Sequence, residues 1–247
     1  MATVLVPLPS RDFDPTETGV PWKSLRALGH RIVFATPDGQ PGTADDRMLT
    51  GRGLGVLARF LIADANGRQA HAEMAASEEF RRPITHTTAR VADYDGLLLP
   101  GGHAPGMRTY LESKPLQALI VAAFDRGLPV GAICHGVVLA ARSRRNDGRS
   151  VLYGRKTTAL TKQMELTAWA LTCTWLGRYY RTYPMTVEDE VTAALANPTD
   201  FLRGPLSTAR DRPEDLAAGF TVRDGNYLSA RWPGDAHRFA SEFARML

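Results

Sequence analysis

At 247 residues, 44% hydrophobic and 23% charged, the chain has material for one sizeable core, as expected of a single α/β domain over 1–247 carrying an insertion. The formal charge of +4 is spread without a basic cluster, so no nucleic-acid surface is expected. No segment approaches the roughly 20 apolar residues of a membrane span, and two cysteines, Cys134 and Cys173, fit a reducing cytoplasm better than a disulfide framework.

Residues 2–8 read as a first strand, without the basic region and cleavage site of a leader. A turn-rich loop over 9–15 precedes a helix expected to start near Glu17, with Pro21 in its first turn and Gly29 at its end. Arg31–Thr36 is the second strand, so strand, helix and strand form a βαβ unit and imply a parallel sheet. Residues 38–90 break this rhythm and read as a helical insertion positioned to cover one edge of a site. Asp95–Leu99 returns to the sheet and runs into Pro100-Gly101-Gly102-His103. Ser113 opens a helix of period near 3.6 that ends at Gly127. A strand is expected around Thr157–Leu160, followed by a helix whose Leu166, Trp169, Ala170 and Cys173 share a core face. Residues 220–230 form a hairpin around Gly225-Asn226, and Asp235 caps a final amphipathic helix.

Between these elements, Pro129–Ala141 reads as a short buried strand, a sharp turn and an apolar helix, with Cys134 at the turn between Gly131 and Gly136. This is the arrangement of a nucleophile elbow, with a thiol in place of serine. A thiol at a helix N-terminus is drawn toward the reactive thiolate. The alternative is that Cys134 is a small hydrophobe closing a core strand.

In an open parallel sheet, ligands gather at the carboxyl ends of the strands. The strand exits here lead to Glu17, to Gly101-Gly102-His103, to Cys134 and to Glu165. A cysteine nucleophile needs a base, a group orienting that base, and donors for an oxyanion. The N–H groups of Gly102 and His135 are the expected donors, and side-chain-free backbone at Gly101 and Gly102 allows a substrate to approach; a plain turn is the alternative. His135 is the expected base, or it supplies only its N–H. Glu165 is the expected orienting carboxylate, or it only complements the dipole of its helix, as Glu17 could. His71, Glu73, His86 and His103 are metal-ligating types, but their spacing matches no fixed motif, so solvated loop residues and no metal are expected. The one H-x-E pair, His71–Glu73, precedes the cysteine, unlike the late pair of class I glutamine amidotransferases, and the papain-like order does not fit either.

Taken together, Glu17-Thr18-Gly19-Val20-Pro21, Leu98-Leu99-Pro100-Gly101-Gly102-His103 and Ala132-Ile133-Cys134-His135-Gly136 resemble the ThiJ/PfpI superfamily of glutamine-amidotransferase-like folds. The His after the Cys, and the insertion, are similar to the branch of glyoxalase III and the chaperone-glyoxalases. The resemblance implies a three-layer α/β/α sandwich, flavodoxin-like, with a mostly parallel sheet. It implies a Cys134 nucleophile with His135, a protonated Glu17 beside the thiol, an oxyanion hole from Gly102 and His135, substrate contacts at Gly101 and His103, and Glu165 as third triad member. The expected reaction converts a small 2-oxoaldehyde to a 2-hydroxy acid without a cofactor, in a cytoplasmic protein that forms a homodimer. The alternatives are a cysteine hydrolase, or a stress chaperone or redox sensor whose thiol oxidises.

Overall fold

The computed structural model describes residues 1–247. The elements run β1 (Thr3–Pro7), β2 (Arg11–Phe13), α1 (Pro15–Ala27), β3 (Arg31–Thr36), β4 (Thr43–Ala44), α2 (Asp46–Thr50), α3 (Ala58–Leu61), α4 (Ala65–Ala76), α5 (Glu78–Arg81) and β5 (Ile84–Thr85). They continue with β6 (Gly96–Leu99), α6 (Arg108–Leu111), α7 (Lys114–Asp125), β7 (Val130–Ile133), α8 (Gly136–Arg142) and α9 (Lys162–Leu176). The chain closes with α10 (Val187–Ala193), β8 (Thr221–Asp224), β9 (Tyr227–Ala230) and α11 (Ala236–Ala244).

Seven strands form one sheet in the order β5-β3-β1-β6-β7-β9-β8, parallel except for the β8–β9 hairpin. The central strands β1, β6 and β7 are almost wholly buried, which is why they read as short apolar runs rather than as alternating ones. One helical layer is built from α1, α4 and α11, the other from α6, α7, α8 and α10. Gly131 lets α11 press onto β7, since a Cβ there would stand 2.8 Å from Phe243. β1 has β3 on one side and β6 on the other, so the chain reverses its winding beside β1. That switch point opens a crevice at the carboxyl ends of β1, β6 and β7.

Several expectations need correcting. Helix α1 starts at Pro15, with the Asp14 side chain accepting from the N–H groups of Thr16 and Glu17, so Pro21 sits inside the helix and not in its first turn. The loop before α1 contains β2, which pairs with β4 in a small separate sheet. No strand forms over 157–160: Thr157 makes a single bridge to Phe201, because β9 takes the place beside β7. Asp235 precedes α11 but makes no capping bond to it; its carboxylate instead grips the Arg231 guanidinium at 2.8 and 2.9 Å. Helix α9 buries Glu165 and Thr172, leaves Leu171 and Trp175 exposed, and keeps Cys173 only half-buried. No helix is long and apolar enough to cross a membrane.

Candidate active site

Strand β7 delivers Cys134 into a turn where its φ is 55°, the left-handed region that costs a non-glycine residue roughly 1–2 kcal/mol. The turn is held because the Cys134 N–H donates to the Ala230 carbonyl at 3.1 Å, and the Val137 N–H returns to the Cys134 carbonyl at 3.3 Å. Gly136 permits the next step, since a Cβ there would lie 2.0 Å from the Leu99 carbonyl oxygen. The strain therefore serves to aim one side chain, as at other nucleophile elbows.

His135 follows directly and turns its ring back on the thiol, with Nδ1 3.5 Å from Sγ. Its other nitrogen, Nε2, lies 3.1 Å from Thr182 Oγ1. Thr182 has one hydroxyl proton, and it goes to the His103 carbonyl at 2.5 Å. Toward His135 the hydroxyl can therefore only accept, so Nε2 carries the hydrogen. Nδ1 is left with its lone pair facing the sulfur, which makes His135 a base aimed at the thiol proton. Thr182 is held in turn by Arg108, whose Nε and Nη2 donate to the Thr182 carbonyl at 3.1 and 2.6 Å. Burial lowers His135 to about 3, so the ring is neutral at physiological pH.

Glu17 reaches the same turn from the first turn of α1. Its Oε2 accepts the Gly101 N–H at 3.0 Å, while its buried Oε1 has no hydrogen-bond partner. Burial, then the neighbouring Asp14, push the Glu17 carboxyl well above its ordinary range. That environment favours the protonated carboxyl, and the group also faces the Cys134 thiol. Burial, then Glu17, push the Cys134 thiol up as well, although the His135 N–H works the other way. The helix terminus is outweighed, and the resting group is a thiol, contrary to the thiolate expected from the sequence. The residue is 4% exposed, so desolvation dominates.

The expected orienting carboxylate is not in that role. Glu165 Oε2 accepts the Val187 N–H at 2.8 Å and Oε1 pairs with Arg181 Nε at 3.0 Å, while the two His135 nitrogens face Cys134 Sγ and Thr182 Oγ1 instead. Burial nonetheless raises Glu165 to about 7. Gly101 also differs from expectation: its N–H serves Glu17, its carbonyl accepts from the Asp14 N–H at 2.9 Å, and a Cβ would meet Glu17 Oε2 at 2.6 Å. It acts as a spacer locking Glu17 against the elbow and does not reach a substrate. Gly102 fits the expected place, with φ 147° and an N–H that, like that of His135, finds no carbonyl acceptor.

His103 stacks on Tyr180 at 4.4 Å, and its Nε2 is buried without a partner. Of the other metal-ligating types, His71 packs on Phe13, Glu73 pairs with Lys23, and His86 bonds the Leu8 carbonyl. They sit apart from one another, and no group of three such side chains has the geometry to hold a metal ion. A cavity of about 760 Å³ opens in front of the elbow, with Cys134, Glu17, Gly102, His103 and Glu165 on its wall. Its volume lies within the range of small-molecule sites.

A doubly wound α/β sheet with a cysteine elbow, a histidine beside it and a buried glutamate from α1 defines a class of cysteine-centred α/β proteins. Within that class, a family model described as ThiJ/PfpI family-like matches residues 8–205, and the chain belongs to this family. It is 22% identical to a deglycase of Pyrococcus abyssi over 240 residues, covering 97% of this chain and 96% of that protein. It is 28% identical to a deglycase of Thermococcus kodakarensis over 155 residues, covering 63% of each. The fold is similar to that of glyoxalase III from Candida albicans, with a TM-score of 0.69 and 20% identity over 99% of this chain and 97% of that one.

Proposed function

We propose that the chain is a cysteine-dependent enzyme of the glyoxalase III type, converting a 2-oxoaldehyde to a 2-hydroxy acid without a cofactor. The observation that carries this reading is the Cys134–His135–Thr182 chain, which holds an unprotonated Nδ1 against the thiol at the wall of a ligand-sized cavity. His135 takes the thiol proton as Sγ bonds to the aldehyde carbon, and the N–H groups of Gly102 and His135 receive the developing oxyanion. The proton passes to that oxygen, giving a hemithioacetal. His135 then removes the hydrogen of the former aldehyde carbon, and a proton is returned to the adjacent carbon. The Glu17 carboxyl gives the adjacent carbonyl oxygen its proton and recovers one from the hemithioacetal hydroxyl as that oxygen becomes the thioester carbonyl. Water cleaves the resulting thioester, releasing the 2-hydroxy acid and restoring the thiol. The net change is addition of one water, so no oxidant or reductant is required.

The expected setting is a reducing cytoplasm, and the expected partners are a small-molecule carbonyl and a second copy of the chain. A second reading, hydrolytic removal of a sugar-derived adduct by the same thiol, is favoured by the two relatives named deglycases. A redox sensor fits less well, since its thiol must be exposed and of lowered pKa, whereas Cys134 is buried and pushed up. The test is formation of lactate from methylglyoxal and mandelate from phenylglyoxal by wild type, Cys134→Ser and His135→Ala. Loss of product in both variants is expected; equal rates in all three proteins would end the proposal.

A further inference from the structure

The cavity in front of Cys134 is far larger than a small 2-oxoaldehyde such as methylglyoxal. Five non-hydrogen atoms at roughly 20–30 Å³ each fill on the order of 100 Å³, against about 760 Å³ available. Part of its wall is apolar, and the apolar side chains come from three separate parts of the chain. The insertion supplies Leu57, Phe60 and Leu61, helix α9 supplies Met164 and Leu171, and the segment after Gly204 supplies Leu206. Three of these remain largely open to solvent: Phe60 at 62%, Leu171 at 51% and Leu206 at 77%. Apolar side chains of this size left exposed around the entrance to one cavity mark a surface meant to be covered by a ligand. Helix α9 turns Leu171 and Trp175 outward while burying Glu165 and Thr172, the reverse of an ordinary core helix.

Residues of this wall also carry polar atoms buried just behind its surface. Thr16 Oγ1, His103 Nε2, Tyr180 Oη and Arg210 Nη1 lack a hydrogen-bond partner, although His103 Nε2 stands 3.9 Å from Asp45 Oδ2. Such groups are costly unless a ligand or water meets them. Among the wall arginines, Arg203 is engaged by Glu188 and Arg231 by Asp235. Arg210 differs: it donates through Nη2 to the Ile62 carbonyl at 3.2 Å and lies over the Trp232 ring at 5.1 Å, while its buried Nη1 has no acceptor and the charge of Asp14 on the same wall is felt by the group.

We propose that the substrate carries, beside its reactive carbonyl, an apolar body of aryl or medium-chain alkyl size seated against these walls, and that Arg210 receives one of its oxygens. The proposal rests on the Cys134 chemistry above and names the class of carbonyl compound that the site takes.

The probes are phenylglyoxylate and pyruvate, unreactive 2-oxo acids that differ in the apolar body, titrated by calorimetry into Cys134→Ser protein. One methylene in an apolar pocket is worth roughly 10- to 200-fold, so phenylglyoxylate is expected to bind at least about tenfold more tightly. The double variant Phe60→Ser/Leu171→Ser, at exposed positions that the fold does not need, is expected to abolish that preference. Arg210→Gln is expected to weaken phenylglyoxylate by about fivefold or more. Equal affinities for the two probes, or a preference that survives the double variant, would overturn the apolar-body proposal; unchanged binding in Arg210→Gln would overturn the role of Arg210. Product assays on the wild type separate this from the reaction itself. Tight phenylglyoxylate binding without mandelate formation would refute the chemistry and leave the cavity's preference standing. Equal binding with lactate and mandelate both formed would do the reverse.

Discussion

Replacing Thr182 by Val removes one oxygen from the site and almost nothing else. Two contacts are lost: the hydroxyl's bond to the His103 carbonyl, which the reaction leaves unchanged, and a bond from a neutral imidazole N–H to the hydroxyl, worth about 1 kcal/mol net in the ground state. When His135 takes the thiol proton it becomes an imidazolium, and the same bond is then worth about 1.5–3 kcal/mol. Only the difference, about 0.5–2 kcal/mol, acts on the chemical step, which gives a fall of roughly 2- to 30-fold in kcat. Loss of the acceptor also frees the ring to carry its hydrogen on Nδ1, which adds to the fall. KM is expected to change little, because Thr182 is not on the cavity wall. The buried N–H left without a partner should lower stability by about 1–3 kcal/mol, read as a reduced denaturation midpoint in urea. Thr182→Ser keeps the oxygen and should restore most of kcat. The assay is initial-rate formation of 2-hydroxy acid across substrate concentration. A folded Thr182→Val protein with wild-type kcat, or a Ser variant as impaired as the Val variant, would refute the tautomer argument.

Glu165→Gln is expected to cost about 1–3 kcal/mol of stability through its partners Arg181 and Val187, while kcat changes less than in Thr182→Val; a stable but inactive Gln variant would return Glu165 to the orienting role. For Glu17, the folded protein holds its proton above the pH at which the unfolded chain releases it, so stability falls as pH rises from the ordinary carboxyl range toward the raised folded value. Glu17→Gln removes that slope, so its urea midpoint should gain on the wild type as pH rises above the ordinary carboxyl range; parallel curves would contradict the assignment. Gly136→Ala places a methyl group 2.0 Å from the Leu99 carbonyl oxygen and should destabilise by about 3 kcal/mol or more, lowering the thermal midpoint sharply; an unchanged midpoint would mean that the elbow is less tightly packed than described.

Much of this site could be read from residues alone, for a physical reason. Buried parallel strands leave short apolar runs, and tight turns demand glycine, so β1, β6, β7 and the elbow stand out by composition. Cys134, His135, Glu17 and Gly102 follow because strand exits share one edge of the sheet. Thr182 could not be found this way. It lies 47 residues from His135 in an irregular stretch, and nothing in the pattern around it separates a threonine that orients a histidine from one that ends a loop. The role of Glu165 is not legible in the sequence, because a carboxylate in the first turn of a helix fits several roles and its partners Arg181 and Val187 lie 16 and 22 residues further on. The extended segment at 157–160 has strand-like composition, but a strand needs a neighbour, and β9 had taken that place. The short pair β2 and β4, of three and two residues, carries too little periodicity to be seen.

The account turns on an uncharged pair: a thiol at Cys134 and a neutral imidazole whose Nδ1 lone pair faces it. Nitrogen-15 NMR of histidine-labelled protein, with the His135 signals assigned through His135→Ala, reads this directly. The predicted result is the Nε2–H tautomer at pH 7, with the ring still neutral at pH 5, since burial lowers it to about 3. An Nδ1–H tautomer, or an imidazolium at pH 7, would contradict it.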